Sequence, residues 1–542
     1  MRYNKIITLA ISCTAFALTF SGCMRNFLER NPYGVLDENT YFTKAEHADL
    51  AAMACYSSLQ KMNGHWADAQ LELGMTGDFS SGGFKDAQSY YGASFNPNDA
   101  SLVKGIWRKG YEGIAMCNNN LKGIEHISPE ILDDNLRSKY LAEIRFVKAF
   151  WYFRLIRFYG DIPLRSSVIT NPKDEAAVQL PVTPQQKIID DIILPDLEYA
   201  HKHLPNRRDA KECMRATKGA ALALLTEVCV HTKQYDKAIQ YGEELLSLGY
   251  SLISNPGNVL RVDYENSSEI IFAIGYSNGV ETYREYYYGT IEDLGGEMGR
   301  IMRGDTYSGD YFYPSKDLID FYQAIDGKPI SKSPYYNAAE VWKNRDPRFD
   351  TTFFTPMDEI TTTSGKSLHW QPKWLVNNVT GYDIQKRGVY YGENNWNKRV
   401  NNTLIRLPRV YLLLAEAYAQ KSSPDFSKVN EYVNKTRKRA RVYALAHPEK
   451  YIPQGLSSSQ VLPDFRVSSV AEVMVAINYE SRVEFFTEDC IRYFDLKRWG
   501  NLADEWSRIG NFSWQKHLQD LPYPSDEISN NRNIHQKEGW GN

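Results

Sequence analysis

The stretch Tyr479-Glu-Ser-Arg-Val-Glu-Phe-Phe-Thr-Glu-Asp-Cys-Ile-Arg-Tyr-Phe-Asp-Leu-Lys-Arg-Trp-Gly500 alternates acids, bases and aromatic rings and stops at a glycine. Glu480 and Glu484 stand one helical turn apart, and Arg492, Asp495 and Arg498 follow at spacings that let them interlock with the two acids. Two neighbouring carboxylates invite a catalytic reading. The structural reading is stronger, because charges of alternating sign beside rings more often neutralise one another in an ion-pair network. The stretch therefore predicts a helical block knitted together by its own charges.

Outward from this block, most of the chain carries helical periodicity. From Lys139 to Tyr159, Leu141, Ile144, Val147, Trp151, Leu155 and Phe158 recur at spacings of three and four, and Gly160-Asp-Ile-Pro163 ends that helix. Ala216 to Thr232 is rich in Ala and Leu, and a further helix runs from Tyr235 to Gly249. This pair is similar to a tetratricopeptide unit, with Leu222, Leu225 and the small Ala238 at its packing positions. Leu407–Gln420 with Lys428–Arg441 reads as another pair. Lys44–Lys61 with Gly105–Ile124 and Lys139–Tyr159 with Gln185–His203 are weaker ones. The expected fold is mainly α: a tetratricopeptide-like helix-pair scaffold over 40–250 and 403–500, unevenly spaced and interrupted by long insertions. Those insertions, 76–100 and 251–402, are dense in Tyr, Gly, Asn and Asp, and short strands such as Glu269–Ile274 are expected in the second. Loops of this length are functional or disordered, and their aromatic content argues for function.

Composition narrows the classes. The 542-residue chain has a formal net charge of −3, which leaves no basic footprint for nucleic acid. Its one dense basic run, Lys435-Thr-Arg-Lys-Arg-Ala-Arg441, reads as a solvated helix face. Tyrosine (37) outnumbers phenylalanine (23), with 11 tryptophans besides. Such rings pair a flat apolar face with a hydrogen-bonding tip, which suits wet recognition surfaces. The apolar run Ile6–Phe20 follows Arg2 and Lys5 and is too short to span a bilayer, so residues 1–22 read as a signal peptide. Phe20-Ser-Gly-Cys23 resembles a bacterial lipoprotein box, with Phe20 where Leu is more usual. Acylation of Cys23 would supply the anchor for a mature domain of residues 23–542. Of the remaining cysteines, Cys55, Cys117, Cys213, Cys229 and Cys490 show no C-x-x-C pairing and read as small buried residues.

Catalytic and metal signatures are missing from the sequence. There is no G-x-S-x-G elbow, H-E-x-x-H, P-loop or G-x-G-x-x-G. His201-Lys-His203 diverges by about 200° on a helix, and Asp133-Asp134 and Asp190-Asp191 lack the calcium-loop pattern. No cofactor or metal is expected. Paired carboxylates for glycoside hydrolysis can still come from distant segments.

The opening stretch resembles the E-R-x-x-E…R-x-x-D-L-x-R-W block of the SusD/RagB family of nutrient-binding outer-membrane lipoproteins. Leu521-Pro-Tyr-Pro-Ser-Asp-Glu-Ile-Ser-Asn-Asn-Arg-Asn-Ile-His-Gln536 resembles that family's closing motif, here spanning 521–536. Arg145-Phe-Val-Lys-Ala-Phe-Trp-Tyr-Phe153, with Tyr-Gly-Asp-Ile-Pro-Leu164 beyond it, and Cys23-Met-Arg-Asn-Phe-Leu-Glu-Arg-Asn-Pro32 match two further blocks. Ser481 and Asp489 depart from it, standing where arginine and glycine are common. The resemblance implies a non-enzymatic protein that captures a glycan and passes it to a SusC-like TonB-dependent transporter, acting as its lid. Sugars need an aromatic platform edged by polar groups. The first insertion offers Phe84, Tyr90 and Tyr91 with Asp78, Lys85 and Asn96. The second offers Tyr283, Arg284, Tyr286, Tyr287, Tyr288 and Tyr307, and Trp66 and Trp396 are further candidates. Peptide capture, a lipid-anchored glycoside hydrolase and a protein-binding helical scaffold stand as rival readings.

Overall fold

The computed structural model describes residues 41–60, 76–81, 96–99, 102–169, 171, 173–208, 212, 214–275, 312–361, 367–369, 380–382, 384–386, 401–509 and 514–541. Its first half is a run of helices: α1 (Ala45–Gln60), α2 (Val103–Glu125), α3 (Asp134–Tyr159), α4 (Leu194–His203, entered through Gln185–Ile188 and a π turn at Ile189–Ile193), α5 (Lys218–His231) and α6 (Tyr235–Leu246). Each packs on the next in order, and α1 also touches α3. The pairs expected from periodicity, α1 with α2, α3 with α4 and α5 with α6, are all in contact.

Helix α3 is the axis of this half. The Asp133 side chain accepts from the amides of Asn135 and Leu136 at 3.0 Å to start it, and Gly160 stops it at φ 67°. Periodicity predicts one buried face, but from Leu141 to Tyr159 every residue except Arg145 is buried. The difference arises because α1, α2, α4 and α5 all pack against it, so its polar residues need internal partners. Lys148 meets Asp196 (2.9 Å), Arg154 meets Asp489 (2.6 Å) and Arg157 meets Glu227 (3.2 Å). Trp151 is core, as its spacing predicts, and so is Trp107. A Cβ on Gly113 would lie 2.2 Å from Trp151 Nε1, so only glycine lets α2 approach α3 this closely.

Among the described residues, eight short strands form two-stranded antiparallel ribbons. They are β1 (Phe79–Ser81), β2 (Ile162–Pro163), β3 (Val182–Thr183), β4 (Ile270–Ile274), β5 (Phe312–Pro314), β6 (Glu359–Thr361), β7 (Ser367–His369) and β8 (Asn402–Arg406), paired β1–β5, β2–β3, β4–β8 and β6–β7. The expected strand at 269–274 is β4, and its pairing with β8 joins the two ends of the second insertion. Within that insertion, α7 (Lys316–Phe321) and α8 (Pro347–Thr352) supply Leu318, Ile319 and Phe349 to a second, smaller apolar cluster that they share with Tyr479, Val483 and Phe486.

The second half holds α9 (Leu407–Gln420), α10 (Phe426–Val433), α11 (Lys435–Ala446), α12 (Val470–Phe485), α13 (Ile491–Trp499) and α14 (Leu502–Ile509). Helix α9 packs on α6, α10 and α12, continuing the stack. The single helix expected at 428–441 is two, broken at Asn434, whose Nδ2 donates to the carbonyls of Asn430 (2.8 Å) and Phe465 (3.0 Å). The expected solvated face of the basic run on α11 is overturned as well: Arg437 and Arg439 are buried, and of residues 435–441 only Lys438 is exposed. The closing segment lies over the core, with Asn531 and Asn533 donating to the carbonyls of Leu180 and Gln179, and Gln536 to that of Tyr523. No helix among the described residues is long and apolar enough to cross a membrane.

Candidate functional site

The two insertions share one root. Strand β1 pairs with β5 in the register Phe79↔Pro314, Ser80↔Tyr313 and Ser81↔Phe312. The first insertion therefore leaves the body where the middle of the second returns to it. Ser315 staples the root: its amide donates to the Asp78 carbonyl (2.9 Å), its hydroxyl donates to the Gly77 carbonyl (2.6 Å) and also caps α7.

Asp78 was expected to face a ligand, and the structure places it elsewhere. It is 3 % exposed, with Arg482 Nε donating to Oδ1 at 2.8 Å and Arg492 Nε 2.9 Å from Oδ2. Both oxygens are spent on anchoring the root to α12 and α13. Asn96 is exposed, and its side chain accepts from the Asn98 amide at 2.9 Å, closing a turn. Cys23, Trp66, Phe84, Lys85, Tyr90, Tyr91, Tyr283, Arg284, Tyr286, Tyr287, Tyr288, Tyr307 and Trp396 lie outside the described residues.

The charges of the opening stretch do form a network, with partners other than those expected. Glu480 pairs with Arg348 (2.6 Å) and Arg437 (3.5 Å), and accepts from Thr436 Oγ1 at 2.7 Å. Glu484 pairs with Arg406 (2.6 Å) and Arg439, and Arg439 continues to Glu269 (3.0 Å). Arg492, Asp495 and Arg498 turn away from these acids. Arg492 takes Asp78 and Glu505, while Asp495 takes Arg409 (2.6 Å) and Arg498 (2.9 Å), and Arg498 reaches Glu416 (2.6 Å). The separation has a local cause. Thr487, Asp489 and Cys490 all adopt positive φ between α12 and α13, so the two helices present their charges to different neighbours. Asp489, at φ 42°, stands where the family commonly has glycine, and its pair with Arg154 offsets the strained backbone.

Electrostatics fit structural pairing. Burial opposes ionisation of Glu484, yet Arg439 and Arg406 hold its carboxyl well below the usual range. Burial likewise opposes Asp495, which Arg409 and Arg498 hold at about 2. Asp317 is lowered against its own burial by Arg482 and Arg508. One carboxyl moves the other way: burial, then Asp350, pushes Asp358 up to about 6. Asp358 closes a turn by accepting from the Thr355 amide (2.6 Å) and hydroxyl (3.0 Å), and Asp350 accepts from Tyr451 (2.6 Å).

His201 meets Glu244 at 3.0 Å and His203 lies against the Tyr199 ring, so the two histidines diverge as expected. Among the described residues, no group of three or more His, Cys, Asp or Glu is placed to hold a metal ion. Cys55, Cys117, Cys229 and Cys490 are buried, and Cys213 lies outside the described residues. Sequence reasoning missed Arg348, Arg406, Asp317 and Glu505. Arg348 lies 132 residues from Glu480, Arg406 lies 78 from Glu484 and Asp317 lies 165 from Arg482, and no local pattern marks such a pair.

The architecture is that of a helix-pair scaffold presenting long insertions from a charge-anchored root. A family model described as the SusD family matches residues 268–540, and one described as starch-binding associating with outer membrane matches residues 26–230. The chain belongs to the SusD family. It is 22 % identical over 521 residues to a SusD-like protein of Formosa agariphila, covering 92 % of this chain and 91 % of the relative. Among solved structures it is similar to a SusD-like protein from Bacteroides fragilis (TM-score 0.74, 22 % identity, 93 % of this chain and 98 % of that one). It is also similar to a laminarin-binding SusD-like protein (TM-score 0.68, 21 % identity, 92 % and 100 %). A third neighbour is surface glycan-binding protein A from Bacteroides thetaiotaomicron (TM-score 0.68, 20 % identity, 92 % and 100 %).

Proposed function

We propose that this protein is a cell-surface binding protein, anchored in the outer membrane through lipid on Cys23. In this reading it captures a glycan without altering it and delivers it to a SusC-like TonB-dependent transporter, over which it acts as a lid. The supporting observation is the shared β1–β5 root, from which both Tyr- and Asn-rich insertions depart. Phe84 is three residues beyond Ser81 and Tyr307 five before Phe312. Phe84, Lys85, Tyr90, Tyr91 and Tyr307 are the residues of choice for the sugar platform. Tyr283, Arg284, Tyr286, Tyr287, Tyr288, Trp66, Trp396 and Asn96 are the second tier. The glycans named for two structural neighbours favour a sugar over a peptide.

Protein lacking residues 1–23 should retain starch or laminarin in affinity electrophoresis and leave the polysaccharide intact. Released product would overturn the non-catalytic reading, and Asp358→Asn would then be the first variant to examine. Cys23→Ala should leave glycan affinity unchanged and release the protein from membranes. A large TonB-dependent barrel should co-purify with the acylated form from detergent, and its absence would remove the transporter from the proposal.

A further inference from the structure

The segment that follows α11 returns along α11 and α10 as a strap. Asn430 and Asn434 lie one helical turn apart, about 6 Å, close to the ~6.6 Å between alternate residues of an extended chain. Each asparagine clamps one such residue with both ends of its amide. Asn430 Oδ1 accepts from the Val467 amide (3.0 Å), and its Nδ2 donates to the Val467 carbonyl (2.9 Å). Asn434 treats Phe465 in the same way, at 2.8 and 3.0 Å. Arg437 Nε donates to the Pro463 carbonyl at 2.7 Å. Residues 463, 465 and 467 therefore turn their backbone groups towards the helices, and alternation turns those of Asp464 and Arg466 the other way. Among the described residues, no partner meets the amide or carbonyl of either one. The strap thus presents an unpaired strand edge, a surface with which an extended chain can pair.

Beside this edge runs an open groove of about 910 Å³, bounded by Arg441 and Leu445 of α11, by Ser458, and by Asp464, Arg466 and Ser468 of the strap. Its charge is unbalanced. Arg466 is exposed, as is Lys438 on the same face of α11 as Arg441 and Leu445, and neither has an ion-pair partner among the described residues. Asp464 supplies no counter-charge to them, because it is already paired with Arg441 (2.7 Å). Apolar surface marks both ends: Leu445 is 37 % exposed, and Val470, two residues beyond Ser468, is 39 % exposed. From Pro463 to Ser468 the strap is about 17 Å long, which matches about five extended residues. We propose that this groove docks an extended acidic peptide segment of a partner protein. Its backbone pairs with Asp464 and Arg466, its carboxylates meet Arg466 and Lys438, and its apolar side chains cover Leu445 and Val470. The docking is independent of what the insertions bind.

Three capped, fluorescent hexapeptides test this on protein lacking residues 1–23: alternating valine and aspartate, the same chain fully N-methylated, and alternating valine and lysine. Fluorescence anisotropy should show saturable binding of the aspartate chain below about 1 mM. The N-methylated chain keeps every charge but no backbone donor, so its affinity should fall at least about tenfold. The lysine chain should not bind. Arg466→Glu and Lys438→Glu should each weaken binding of the aspartate chain at least about fivefold, and Arg466→Lys should retain most of the parent affinity. None of these variants should move the unfolding temperature by more than about 2 °C, because both cations are exposed and unpaired. Failure of the aspartate chain to bind would overturn the proposal, and so would equal affinity for the N-methylated chain or for the Arg466→Glu variant. Binding of polygalacturonate in its place, lost in Arg466→Glu, would assign the groove to an acidic polysaccharide. Dimerisation in sedimentation that Arg466→Glu prevents, with no binding of the aspartate chain, would assign the edge to a second copy of this chain.

Discussion

Helix α5 and the charge cluster around α12 are both sealed from water, yet different physics closes them. Leu222, Leu225, Val228 and Cys229 on α5 are fully buried among other apolar side chains. Around α12, Arg348, Arg406, Arg437, Arg439, Glu269, Glu480 and Glu484 are nearly as well buried, none more than 6 % exposed. Apolar packing is non-directional, and a lost methyl group costs in proportion to the space it leaves. Buried ion pairs demand every partner at once, because each charge carries a desolvation cost that only its counter-charges offset. Damage to the first region should be graded. Damage to the second should be abrupt.

The steepest test is Glu484→Ala. It leaves Arg439 with Glu269 alone, while Arg406 keeps Glu269 and Glu488, and costs about 3–5 kcal/mol in chemical denaturation, the range for removing one partner of a buried pair. Replacement of the cluster by well-packed apolar residues should recover much of that loss, which a purely apolar region could not show. Leu222→Ala comes next, at about 2–4 kcal/mol, set by how far α5 collapses around the cavity. A cost for Glu484→Ala well below that of Leu222→Ala would erase the distinction between the two regions.

Acid sharpens it further. The Asp495 carboxyl sits at about 2 in the folded protein and near ~3.9 when unfolded. A depressed carboxylate contributes stability that is fully present above the unfolded value and is lost as pH falls through the folded one. Between about pH 4 and pH 2 the protein should lose about 2 kcal/mol through this group alone. Asp495→Asn should flatten that part of the stability–pH curve, and Leu222→Ala should leave its slope unchanged.

The same contrast governs what the sequence discloses. Helix pairs were legible because apolar periodicity is a local signal: α3, α5, α6 and α9 fall within a few residues of where spacing puts them. The ion-pair character of 479–500 was legible from alternation, but its partners were not. Glu480 meets Arg348 and Arg437, and nothing near Glu480 in the chain encodes either. The basic run on α11 misled for the same reason, since a charge with a remote counter-charge looks like a solvated one. Asp78 carried the composition of a ligand loop, yet lies where that loop meets the body, so composition could not separate root from surface. The positive φ at Asp489 was half visible, as a departure from the family's glycine.

The smallest effect decides whether burial, rather than charge, is what separates the regions. Glu431 on α10 pairs with Lys435 (3.1 Å) and Lys428 (3.4 Å), yet is 44 % exposed at the side chain. Its carboxyl is lowered by the two lysines against modest burial, so by pairing alone it resembles Glu484. Water and salt screen it, however, and long lysine side chains lose entropy in holding the contact. Glu431→Gln should therefore change stability by no more than about 0.5 kcal/mol, and about 1 M sodium chloride should abolish that difference. Glu484→Ala should keep most of its cost in the same salt, because ions do not reach a pocket closed by Arg348, Arg406 and Arg439. Lys435 and Arg439 lie one turn apart on the same helix, so a cost for Glu431→Gln that matched Glu484→Ala would assign the stability to charge pairing itself and leave burial with no part in it.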